Sequence, residues 1–321
     1  DRIPRQAWIL PWAEQRHPVW VSRLRESYPD DIVTAPAVYI NPPAEKGGKY
    51  DPGEYVDPWG CIFKNRERGI MGVVKEPRIR KWEDLERYQT PEALLDLDAG
   101  SVNAFCRESR RFVLAGTLIR PFERLHFLRT MEQALIDLIE QPPELKVLLG
   151  RIHGHYLKEV EVWARTDVDA IYLMDDWGVQ QGLMVSPDWF RAVFKPMYRE
   201  YAEIAKKYGK YVFMHSDGCI TEIIPDLIEV GVHAVNSQIA LMGVQELGRR
   251  FAGRLTFWGE MDRQQLLPRG TGQEVDRAVK DVYRAFYRNG GVIAQCEFGP
   301  GVRPENVFRV FKTWNDILKS G

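Results

Sequence analysis

The sequence predicts an α/β fold, and among α/β folds a (β/α)8 TIM barrel, on three observations. From Arg110 onward, short apolar runs alternate with amphipathic segments of helical length. The runs show no in-and-out alternation, which suits parallel strands buried on both faces. No GxGxxG turn follows any of them, which puts a doubly wound nucleotide-binding sheet second.

Taken in order, residues 1–100 read as an N-terminal cap with the first barrel elements, carrying Trp8, Trp12, Trp20, Trp59 and Trp82. Residues 41–60 are turn-rich and too polar for a core element. Cys61-Ile62-Phe63 and residues 70–74 predict two short strands joined by a charged turn, a β-hairpin inside the cap. A helical stretch begins at Lys81. Residues 110–321 then give regular βα repeats. The strand candidates are Phe112-Val113-Leu114-Ala115-Gly116, Ala170-Ile171-Tyr172-Leu173-Met174, Tyr211-Val212-Phe213-Met214, Ala234-Val235-Asn236, Leu255-Thr256-Phe257-Trp258 and Gly291-Val292-Ile293-Ala294. Helices are expected over 187–208 and 273–289, with starts at Ser186-Pro187 and Thr271 and a C-terminal stop at Gly209. Six strands are visible, and the upstream chain has room for the other two.

Composition narrows the function classes. At 321 residues the chain exceeds the usual domain, but barrels reach this length, so a single domain over 1–321 is expected. Net charge is −1, from 44 basic and 45 acidic side chains, which argues against a general nucleic-acid binder. No apolar run approaches the roughly 18–20 residues of a membrane helix. Cys61, Cys106, Cys219 and Cys296 form no CxxC pair, so neither a disulfide framework nor a zinc ribbon is indicated and a reducing cytoplasm is expected. The Asp1-Arg2-Ile3-Pro4 opening has neither a signal peptide nor an initiator Met and points to a trimmed start.

Barrel chemistry sits where strands end and βα loops begin. Five successive strand ends are polar: Asp175-Asp176-Trp177-Gly178, His215-Ser216-Asp217-Gly218-Cys219, Asn236-Ser237-Gln238, Gly259-Glu260-Met261-Asp262 and Gln295-Cys296-Glu297. His215, Asp217 and Cys296 offer the nitrogen, carboxylate and thiolate that Zn²⁺ accepts. A cysteine after an apolar run also serves as a small buried hydrophobe, and a histidine there also ties down a loop. Asp176, Glu260 and Glu297 are candidates for proton transfer. Asp175, Asn236 and Gln238 are candidates for substrate contact. Trp59, Trp177 and Trp258 either line an apolar pocket or simply pack.

The same residues resemble the uroporphyrinogen decarboxylase superfamily. Asp175-Asp176-Trp177-Gly178, Ser186-Pro187 and Phe194-Lys195-Pro196 resemble its "D-S-W-A-G…S-P…F…P" signature. Gly259-Glu260-Met261-Asp262 resembles "G-N-L-D", residues 301–307 (GVRPENV) resemble "P-P-E-N-V", and the opening resembles "D-R-x-P". The resemblance implies a TIM barrel over nearly the whole chain.

Three departures separate the chain from the haem-pathway decarboxylase. The "R-Q-A-G-R-Y" segment that holds substrate carboxylates has no counterpart. Pro121-Phe122-Glu123-Arg124-Leu125-His126 lacks the tyrosine that follows "P-F-T", and Phe298 stands where "L-G-H-G" carries histidine. The zinc-dependent corrinoid methyltransferase branch resembles the chain better. Its "H-x-C" pair and late cysteine become His215-Ser216-Asp217 and Cys296. The resemblance therefore implies a Zn²⁺ site that cleaves a small-molecule methyl donor and passes the methyl to a corrinoid protein. An oxygen-richer site is more Lewis acidic, which favours an ether or methoxylated aromatic donor, as in an O-demethylase. The alternatives are a decarboxylase-like lyase acting on a carboxylated substrate and a non-catalytic binder.

Overall fold

Eight parallel strands form the barrel that the alternating pattern predicts. The computed structural model describes residues 2–317; Asp1 of the opening motif and residues 318–321 lie outside the described residues. In chain order β1 (Arg5–Ile9) and β2 (Ile32–Thr34) supply the two upstream barrel strands. β3 (Gly53–Val56), β4 (Ile62–Asn65) and β5 (Val73–Glu76) make a separate antiparallel sheet. β6 (Phe112–Leu114), β7 (Ala170–Met174), β8 (Tyr211–Ser216), β9 (Ala234–Ser237), β10 (Thr256–Trp258) and β11 (Val292–Phe298) complete the barrel. Strands β9 and β11 are buried at every position, as expected of strands covered on both faces.

The chain divides into two compact units. The first takes the chain up to Val33, Trp177–Pro187 and everything from Val212; the second takes Thr34–Asp176 and Asp188–Tyr211. In the first unit the strands run β1-β11-β10-β9-β8, with Ala7 opposite Cys296, Phe257 opposite both Val292 and Val235, and His215 opposite Asn236. The helix Gly272–Phe286 starts in a capping box, Thr271 with Glu274, which satisfies the amides its first turn leaves open. It ends by stacking Phe286 on Phe257 of β10, with ring centroids 4.0 Å apart.

In the second unit Leu114 of β6 pairs with Ala170 of β7, and the Ala35 amide after β2 donates to the Leu114 carbonyl. A buried ion pair organises this unit. Arg129 Nε lies 2.7 Å from Asp137 Oδ2, Nη1 donates to the Ile79 and Arg80 carbonyls, and the guanidinium lies over the Trp82 ring.

Three local expectations change. The predicted hairpin becomes a three-stranded sheet, because β3 forms inside the segment read as loop. Only Tyr55 of its four residues is buried, so no apolar pattern marks it. The helix at Lys81 is a short 3₁₀ turn, Trp82–Glu86. The helix over 187–208 is interrupted: Phe190–Phe194 is a π-helical turn before Lys195–Lys207, next to Pro196, which has no amide to donate. Among the described residues no helix is long and apolar enough to cross a membrane.

Candidate functional site

The strongest local arrangement lies in the first unit and begins with register. His215 and Asn236 face each other across β8 and β9. The Asn236 Nδ2 donates to the Trp258 carbonyl, which turns its Oδ1 towards His215. Asn236 Oδ1 is 2.6 Å from His215 Nδ1, so the proton of the neutral ring sits on Nδ1 and the lone pair is left on Nε2. That nitrogen lies 3.7 Å from Asp217 Oδ1. The Trp8 ring packs on the imidazole at 5.1 Å and limits its rotation.

The loop that carries Asp217 is pressed against the loop that begins at Trp177. The Trp177 amide donates to Ser216 Oγ, the Gly178 amide to the Asp217 carbonyl and the Cys219 amide to the Val179 carbonyl. Only glycine fits at this crossing. A Cβ at Gly178 would lie 2.5 Å from the Cys219 nitrogen, and one at Gly218 would lie 2.2 Å from the Gly178 carbonyl carbon. Gly218 also has φ +79°, a left-handed conformation.

Around Asp217 three carboxylates share one guanidinium. Arg263 Nη2 is 2.5 Å from Asp217 Oδ2, Nε is 2.8 Å from Glu260 Oε1 and Nη1 is 3.2 Å from Glu297 Oε1. Burial, with Glu297 and Asp217 close by, holds the Glu260 carboxyl well above its ordinary range, against the pull of Arg263. Burial also raises the Glu297 carboxyl, again opposed by Arg263. Burial works against the Arg263 charge, but the three carboxylates outweigh it and raise its pKa.

Cys296 is fully buried, and its thiol donates to the Glu297 carbonyl at 3.7 Å. Burial, then Glu260 and Glu297, push this thiol well above its usual value. Its sulfur is not among the ligand atoms that gather with those of His215 and Asp217. A cavity of about 590 Å³ opens onto the group, lined by Gly178, Gln180, Asp217, Gln238, Arg263 and Glu297.

Several predicted residues hold other posts. Asn236 stands behind His215 instead of facing the cavity. Gln238 lines the cavity and accepts from the Gly218 amide. Trp177 and Trp258 are completely buried, and Trp258 packs edge-on against Trp8 and Phe213 at 5.2 and 5.3 Å.

Asp175, in the second unit, is also fully buried. It accepts from the Phe122 and Glu123 amides and the Tyr198 hydroxyl, tying the helix Pro121–Arg129 to the end of β7. Burial pushes its carboxyl up to about 7, against the pull of Tyr198 and the two amides. Trp59, likewise in the second unit, lines a different cavity there.

Sequence reasoning missed Arg263. Its signal was indirect: Asp217, Glu260 and Glu297 at three strand ends require a cation, and Arg263 follows Gly259-Glu260-Met261-Asp262 immediately.

Among solved structures the chain is similar to a methyltransferase from Methanosarcina mazei, with a TM-score of 0.71, 16% identity, and 99% of this chain and 95% of that chain covered. Xylanase B from Clostridium stercorarium F9 reaches a TM-score of 0.34 at 14% identity, covering 63% of this chain and 71% of the other. No curated protein matches the chain by sequence. The model of the uroporphyrinogen decarboxylase (URO-D) family matches residues 58–317, and the chain belongs to that family.

Proposed function

We propose that this chain is a methyltransferase that uses a metal ion, zinc by the chemistry of its donors, held at His215 and Asp217. The observation that carries the reading is the chain from the Trp258 carbonyl through Asn236 to His215, which occupies Nδ1 and turns Nε2 towards a carboxylate. A histidine nitrogen and a carboxylate oxygen 3.7 Å apart suit two corners of a tetrahedral site. Cys296, which the resemblance implies as the third ligand, lies in the same unit and is the candidate for the remaining corner. The fold likeness to a methyltransferase supports the activity, and the family supports the lyase alternative equally.

A metal bound there supplies Lewis-acid stabilisation of charge on a leaving oxygen or sulfur. The protein's own groups do the rest. Arg263 holds Asp217 by Oδ2 and so leaves Oδ1 towards His215. Glu297 lines the cavity and has a raised carboxyl, so it is placed to give a proton to a departing oxygen. The methyl acceptor in this reading is a corrinoid carried by a partner protein, and the donor is a small molecule such as a methoxylated arene.

Zinc content after equilibrium dialysis, with and without His215→Ala, tests the reading. Stoichiometric zinc in the parent and little in the variant is expected, together with methyl transfer to free cob(I)alamin followed by its absorbance. Metal-free protein that releases CO₂ from a carboxylated substrate would establish the lyase instead.

A further inference from the structure

The second unit holds a cavity of about 660 Å³ that the methyl-transfer reading does not use. That volume suits a small organic ligand. Aromatic rings form part of its wall, Tyr39, Trp59, Phe63 and Phe127 among them. Two arginines line it, and they differ in how well their charge is answered.

Arg124 is satisfied. Its Nη1 is 2.6 Å from Asp57 Oδ2, its Nε is 3.4 Å from the Tyr156 hydroxyl, and its guanidinium lies 4.5 Å from the Trp59 ring centroid. Arg120 is not. Its side chain is only 13% exposed, yet the nearest carboxylate, Glu123 Oε2, is 3.5 Å from Nη1. That is longer than a charge-assisted hydrogen bond. Its Nη2 donates to the Met174 sulfur at 3.0 Å, and a thioether is a weak acceptor.

Each of the three acids of the cavity, Glu45, Asp57 and Glu159, already has a partner within the protein, Asp57 in Arg124. Glu45 accepts from the Tyr55 hydroxyl. Glu159 accepts from the Thr117 hydroxyl and turns its other oxygen to His155 Nε2, 3.2 Å away. The exposed Lys49 adds a third cation to the lining. A desolvated guanidinium whose best acceptor is sulfur, set among rings, is a receptor for a planar anion.

We propose that this cavity binds a small carboxylate with an aromatic body, its carboxylate on Arg120 in place of the Met174 sulfur. The rings take the apolar body by stacking and burial. The guanidinium fork takes both carboxylate oxygens, which selects a carboxylate over its neutral amide.

Isothermal titration of the metal-free protein with 2-naphthoate and with 2-naphthamide tests this. Neither probe has a methyl group to transfer, so the outcome does not depend on the proposed activity. The parent is expected to bind the carboxylate at least tenfold more tightly than the amide. Arg120→Met is expected to bind both alike, with the amide affinity of the parent retained. Arg120→Lys keeps the charge without the fork and is expected to lose several-fold of the preference; it decides the matter if Arg120→Met does not fold. Equal binding of the two probes by the parent, no binding of 2-naphthoate, or a preference that survives the Arg120 substitutions would overturn the proposal.

Discussion

Asn236 and His215 are joined by a 2.6 Å hydrogen bond between Oδ1 and Nδ1, and the Asn236 side chain is oriented in turn by the Trp258 backbone carbonyl. The orientation of the asparagine amide therefore decides which imidazole nitrogen can serve as a ligand. Asn236→Ala removes that control. Zinc affinity in a chelator competition is expected to fall by about 10–100-fold. Unchanged affinity would show that the ring needs no such partner.

Arg263 bears on the same group with the opposite sign. Its guanidinium is shared by Asp217, Glu260 and Glu297, so a metal ion at His215 and Asp217 would enter beside a resident cation. Arg263→Gln is expected to tighten zinc binding by about tenfold, because a repulsive charge a few ångströms from the ligand set is removed. Weaker binding in this variant would mean that Arg263 supports the ligand geometry more than it opposes the ion.

His126, in the second unit, provides a pH handle of its own. It is 4% exposed and packs edge-on against Phe122, and burial lowers its pKa to about 4. The native state therefore favours the neutral ring, while the unfolded chain takes a proton near pH 6.5. The stability it contributes is present above pH 6.5 and is lost as pH falls towards 4, by about 3 kcal/mol. In urea titrations the stability difference between the parent and His126→Leu is expected to shrink in the parent's disfavour over that range. A difference that does not change with pH would contradict the burial argument.

The Arg129–Asp137 pair predicts a large structural effect. Both side chains are almost wholly buried, and Arg129 also holds two carbonyls. Asp137→Ala leaves a buried guanidinium without its counter-charge and is expected to cost about 3–5 kcal/mol. The exposed pair of Arg249 and Glu246 is the control, and Glu246→Ala is expected to change stability by less than about 1 kcal/mol. Denaturant midpoints of the two variants make the comparison.

The barrel was legible because strands buried on both faces leave uninterrupted apolar runs, and β6 to β11 coincide with six such runs. His215, Asp217, Glu260 and Glu297 were legible for the same reason, as the first polar residues at or beyond those runs. The tasks of the residues behind them were not. Asn236 supports His215 only because two strands meet in one register, and no single strand records that. Asp175 looks like a strand-end site residue in the sequence, but its task is to hold the start of a helix that begins more than fifty residues earlier. Arg263 sits on a loop, where an arginine is ordinarily a surface residue.

The contact between Gly178 and Gly218 has a consequence for laboratory evolution. A Cβ on either glycine meets backbone, which cannot rotate away as a side chain can. The two loops therefore behave as one hereditary unit. Libraries that randomise 177–180 and 217–219 together should return functional members only where glycine survives at both crossing points. Diversity at Gln180, which lines the cavity and is neither of the crossing glycines, is the cheaper route to a changed ligand preference.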